Sequence, residues 1–82
     1  MNIDLEDFKT GWFGITVGIK TSEIDILIEG LTKLKGNEGQ HFHARSDCSG
    51  NGGVADIEFY LEAEDTKDNA TLDLSPAINP NR

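Results

Sequence analysis

At 82 residues the chain is long enough for a single domain, 1–82, with a modest core, since a chain of this size buries only about 60% of the surface it exposes when unfolded. Fifteen acidic against seven basic side chains give a net charge of −8, which disfavours nucleic acid or an anionic membrane as partner and suits a basic protein. The single cysteine, Cys48, excludes an internal disulfide framework and fits a reducing, cytoplasmic address, and the acidic start MNIDLEDFK lacks the pattern of a signal peptide. No segment is apolar over a bilayer-spanning length, so a soluble protein is expected.

In chain order, Met1 to Phe8 alternates weakly through Ile3 and Leu5 and predicts a short edge strand ending at a Thr10-Gly11 turn. Phe13 to Lys20 alternates more strongly: Phe13, Ile15, Val17 and Ile19 share one face, expected to be core, and Trp12, Gly14, Thr16 and Gly18 share the other. Gly14 and Gly18 are unusual in a strand interior, since they supply no packing and lower strand stability unless another backbone or a ligand must come close. A helix follows, with Ser22 as its N-cap and Asp25 completing the cap. Ile24, Leu27, Ile28, Leu31 and Leu34 form an apolar stripe, Glu29 pairs with Lys33, and Gly36 ends the helix. Ile26 and Gly30 fall on its solvent side, which leaves Ile26 exposed and offers a contact for self-association into a homodimer.

After an Asn37-Glu38-Gly39 turn, Gln40 to Ser46 predicts a strand with Phe42 and Ala44 inward and His41, His43 and Arg45 outward. Asp47 to Gly53 is a loop. Val54 to Glu64 predicts the longest strand, with Ile57, Phe59, Leu61 and Ala63 inward and Asp56, Glu58, Tyr60 and Glu62 outward. Asp65 to Asn69 is a polar turn, Ala70 to Leu74 a last short strand, and Pro76 and Pro80 mark an irregular tail. The expected fold is α+β, a two-layer sandwich with one helix packed on a mostly antiparallel sheet of four to five strands in the order β-β-α-β-β-β. The uncovered face of that sheet would collect Trp12 with the outward histidines and carboxylates. Charge favours a hairpin register in which paired residue numbers sum to 101, setting Arg45 opposite Asp56, His43 opposite Glu58 and His41 opposite Tyr60; the register of sum 103 stays open.

Four constellations carry chemistry, each beside a plainer reading. His41 and His43, with Glu58 or Cys48 as a third donor, have a spacing that zinc sites on sheets use, but cross-strand ion pairing explains the histidines and is preferred, so no metal is assigned. Cys48 beside Asp47 and near His43 has the types of a nucleophile and base, yet an adjacent carboxylate raises a thiol pKa, so no catalytic residue is assigned. The glycines of Ser49 to Gly53 lack the lysine and following helix of a phosphate loop. The period-two carboxylates from Asp56 to Glu64 are what an exposed strand face requires, not an acid–base pair.

The segments GWFGITVGI, the capped helix, HFHARSD, GGVADIEFYL and DNATLDLSPAINP, in this order, resemble a family of small immunity proteins from bacterial polymorphic toxin systems. The resemblance spans Gly11 to Pro80 and is most specific from His41 through Asp47, the glycine loop and GGVADIEFY. It implies a protein that binds and neutralises a cognate toxin, with no catalysis and no cofactor. From the residues themselves the expected partner surface is Trp12, His41, His43, Arg45, Glu58, Tyr60 and Glu62, which suits a basic toxin. The alternatives are a metal- or small-ligand-binding module on His41, His43 and Glu58, and a structural homo-oligomer.

Overall fold

A computed structural model describes residues 1–74. The element order is β1 (Asn2–Asp7), β2 (Phe13–Gly18), α1 (Thr21–Leu34), β3 (His41–Arg45) and β4 (Asp56–Tyr60), an α+β chain in which two antiparallel hairpins flank one helix. The expected single sheet of four to five strands is instead two sheets of two strands each, β1-β2 and β3-β4. They approach at one end, where Asn2 and Ile3 share a pocket with Arg45, Ser46 and Val54, but no ladder joins them there. Ala70 to Leu74 forms no strand, and Leu72 and Leu74 are exposed: two leucines with no apolar surface burying them do not hold a strand. Pro76 and Pro80 lie outside the described residues.

The β1–β2 hairpin pairs Ile3 with Val17 and Leu5 with Ile15, and its turn closes through Phe8 N–H to the Trp12 carbonyl, 3.1 Å. Asp7 Oδ1 accepts the Lys9 N–H at 2.8 Å, and the turn takes two left-handed residues, Lys9 at φ 61° and Gly11 at φ 91°. Gly14 is small for a visible reason: a Cβ there would sit 2.6 Å from Cζ of Phe8, whose ring lies over the strand. The expected core of this hairpin is not buried. Leu5, Phe13, Ile15, Val17 and Ile19 are all exposed, because the helix packs on the other hairpin.

Helix α1 begins one residue before the expected cap. Lys20 is the N-cap, and Glu23 rather than Asp25 closes the first turn, its Oε1 accepting the Lys20 N–H at 3.0 Å while its Oε2 accepts from the Met1 amino group at 2.8 Å. Ser22 lies inside the helix because Glu23, three residues after Lys20, has the reach to satisfy that amide. At the other end Gly36 takes φ 76°, Asn37 N–H reaches the Leu34 carbonyl at 3.0 Å, and Asn37 Nδ2 donates to the Lys33 carbonyl at 2.8 Å. The expected Glu29–Lys33 pair forms at 3.1 Å. No helix among the described residues is long and apolar enough to cross a membrane.

The helix meets β3–β4 on the side that carries Gly30. A Cβ at Gly30 would lie 3.2 Å from the Phe42 ring, which itself stacks on Phe59 with centroids 4.8 Å apart. Gly30 is therefore a contact residue and not part of a solvent side, while Ile26 one turn earlier stays 68% exposed on the rim of the same groove. Leu34 at 8% and Ala44 at 9% exposure are the buried hydrophobic residues. Of the apolar helix stripe, Leu27 is half-buried, whereas Ile24, Ile28 and Leu31 face solvent at i, i+4, i+7 spacing. Because Phe42 is held from behind by Phe59, Gly30→Val is expected to cost about 1–3 kcal/mol in urea unfolding despite valine's better helical preference than glycine's.

Candidate functional site

Strands β3 and β4 pair in the register of sum 101: His41 with Tyr60, Phe42 with Phe59, His43 with Glu58, Ala44 with Ile57 and Arg45 with Asp56. The pleat then separates the two faces by alternation. Ala44 is buried and Phe42, Ile57 and Phe59 are half-buried on the helix side, while His41, Arg45, Asp56, Glu58 and Tyr60 are exposed on the other. The strand β4 is shorter than the expected Val54 to Glu64, stopping at Tyr60 where β3 has no further residue to pair.

His43 is the best-held side chain of this row. Its Nδ1 lies 3.0 Å from both carboxylate oxygens of Asp56, and its Nε2 lies 3.5 Å from Oε1 of Glu58. A carboxylate only accepts, so Nδ1 carries a proton and Nε2 is the ring atom turned to Glu58. His41 stands edge-on to His43, ring centroids 5.1 Å apart, and one donor atom each from His41, His43 and Glu58 fall within 4.8 Å of one another. Asp56 also faces Arg45, whose Nε is 3.5 Å away. Sequence reasoning gave Asp56 to Arg45 alone; the diagonal cross-strand relation to His43 was the signal that would have found its second role.

At the end of β4, Tyr60 Oη donates to Oε2 of Glu62 at 2.5 Å. That bond lowers the Glu62 pKa, with Thr66 adding a second side-chain bond, and raises that of Tyr60. Trp12 stands apart from this row, in the β1–β2 turn of the other sheet, 76% exposed. The seven expected partner residues thus divide six on the β3–β4 hairpin and its exit, and one on the β1–β2 turn.

The loop after β3 is built around Asp47, not Cys48. Asp47 Oδ1 accepts the Ser49 N–H at 3.0 Å and the Ser49 hydroxyl at 2.9 Å, which together hold its carboxyl below the usual aspartate range. Cys48 is exposed at φ 59°, its N–H donates to Ser46 Oγ at 2.9 Å, and its Sγ–H points to the Ser46 carbonyl at 3.9 Å. With Asp47 committed to Ser49, it supplies no base to the thiol. Since the folded Asp47 pKa is depressed, the loop bonds are complete above the unfolded aspartate pKa and are lost as pH falls through the folded one. The Ser49 amide resonance is therefore expected to shift only below the ordinary aspartate range, and a midpoint at or above that range would contradict the assignment.

A second concavity lies on the helix side, a groove of about 520 Å³ between α1 and the β3–β4 hairpin, lined by Ile19, Ile26, Leu27 and Gly30 with Phe42, Ala44 and Phe59 and rimmed by Glu23, Glu29 and Lys33. Sequence reasoning missed it because it placed Gly30 on the solvent side. No protein-family model, curated protein or solved structure matches the chain, so its functional reading rests on these residues and their geometry.

Proposed function

We propose that the chain is an immunity-type protein that binds a cognate bacterial toxin and neutralises it by occupying the toxin's surface, without chemistry of its own. The observation that carries this reading is the exposure of two large aromatic side chains, Tyr60 within the structured strand row and Trp12 on the β1–β2 turn. Trp12 at 76% and Tyr60 at 56% exposure belong to the residue types most enriched where binding energy concentrates, and Glu58 and Glu62 flank Tyr60 with negative charge. A surface of this kind, on a chain of net charge −8, is complementary to a basic partner and would speed its capture. The six row residues and Trp12 lie on separate hairpins, so a partner that uses all seven spans both.

A homo-oligomer is the second reading, favoured by strand edges that no other described strand pairs with in either two-stranded sheet and by the exposed Ile24, Ile28 and Leu31. The two readings separate in one experiment with purified proteins. Calorimetric titration of the chain with the toxin encoded in the neighbouring reading frame is expected to give saturable binding that weakens as salt rises, and sedimentation of the chain alone a monomer. A concentration-dependent dimer with no heat on toxin addition would favour the second reading and reject the first.

A further inference from the structure

We infer that His41, His43 and Glu58 form a zinc-binding site on the exposed face of the β3–β4 hairpin, with Asp56 orienting the central histidine. The inference goes beyond the partner-binding reading and does not depend on it. Zinc takes nitrogen ligands from histidine at about 2.0–2.1 Å and carboxylate oxygen at about 2.0–2.2 Å in tetrahedral geometry, so neighbouring ligand atoms stand roughly 3.3–3.5 Å apart. The His43 Nε2 to Glu58 Oε1 separation of 3.5 Å is already that edge.

The orientation of His43 is the independent observation. A metal-bound histidine almost always donates its other ring N–H to a carboxylate, which fixes the tautomer and strengthens the ligand. Asp56 supplies that carboxylate, 3.0 Å from Nδ1 through both oxygens, and it stands on β4 two residues from Glu58, held there by its own pairing with Arg45. With Nδ1 donating to Asp56, Nε2 is the ring atom left facing a Glu58 oxygen at 3.5 Å, a gap that a proton or a shared metal cation bridges. His41, exposed and two residues along the same strand face, needs only a side-chain rotation to bring its donor from within 4.8 Å to the ligand edge. Three protein donors leave the fourth zinc position open to water or to a partner's side chain.

The test uses the full, untagged chain and zinc chloride alone. Isothermal titration is expected to show one zinc per chain, accompanied by a rise in melting temperature and by a shift of the His43 ring resonances. His43→Ala removes the saturable site, and Asp56→Asn weakens it about 10–100-fold while circular dichroism stays unchanged. Glu62→Gln, outside the site, leaves the affinity as it was. Absence of saturable zinc binding by the wild-type chain overturns the proposal. So does binding of equal strength by the His43→Ala and wild-type chains, which would assign the zinc to scattered surface carboxylates.

Discussion

Leu34→Ala is expected to lower the unfolding free energy by about 2–4 kcal/mol and to leave the chain largely unfolded at 37 °C. Deleting a buried leucine side chain removes its transfer free energy and leaves a cavity that collapses only in part. Leu34, at 8% exposure, is one of two buried hydrophobic residues among those described, and the other, Ala44, is too small to compensate. Isolated two-stranded hairpins are marginal in water, so β3–β4 depends on the helix lying against Phe42, which stacks on Phe59. Ile28→Ala, on the exposed helix side, serves as the comparison and is expected to change stability by less than about 1 kcal/mol. A larger loss for Ile28→Ala than for Leu34→Ala in urea unfolding would show that the helix packs through its other face.

The difference between these two leucine and isoleucine positions also marks where sequence pattern stopped being informative. Period-two alternation placed Phe42, Ala44, Ile57 and Phe59 on one side of a hairpin, and charge pairing selected its register, because inward residues must oppose inward ones. The helix was legible from its 3.6-residue period, though its cap moved to Lys20 since Glu23 reaches back to that amide. Periodicity says which residues share a face and not which neighbour covers it. Phe13, Ile15 and Val17 alternate as a core strand does, yet they lie open because one helix packs on only one of the two hairpins. The glycines divide: Gly14, read as a place of close approach, receives the Phe8 ring, whereas Gly30, read as solvent-facing, meets the Phe42 ring. The outward row of His41, His43 and Arg45 against Tyr60, Glu58 and Asp56 was legible as a row, but the pincer of Asp56 and Glu58 on His43 depends on rotamers that no sequence pattern specifies.

Trp12→Ala combined with Tyr60→Ala is expected to weaken toxin binding by at least 100-fold while leaving the melting temperature of the chain within a few degrees of wild type. Both side chains are more than half exposed, so truncation removes contact area from the partner surface and little from the fold. Aromatic anchors of this kind typically contribute about 2 kcal/mol or more each at a desolvated interface centre, and two of them in one partner footprint exceed a 100-fold change even when they are not additive. Tyr60→Phe separates the ring from its hydroxyl: it retains the ring and removes the bond to Glu62, so a loss as large for Tyr60→Phe as for Tyr60→Ala would assign the binding to the hydrogen-bonded pair and not to the aromatic surface. Glu58→Gln and Glu62→Gln are expected to act mainly on the association rate and on its salt dependence, as charges at a rim do.

The proposed neutralisation by binding is tested most directly by growth of cells that produce this chain together with whatever toxin an adjacent reading frame encodes. Wild-type chain is expected to restore growth, the Trp12→Ala/Tyr60→Ala chain produced at equal level to leave the cells inhibited, and full rescue by that double variant would contradict the proposed partner surface, while failure of the wild-type chain to protect would contradict the immunity function itself.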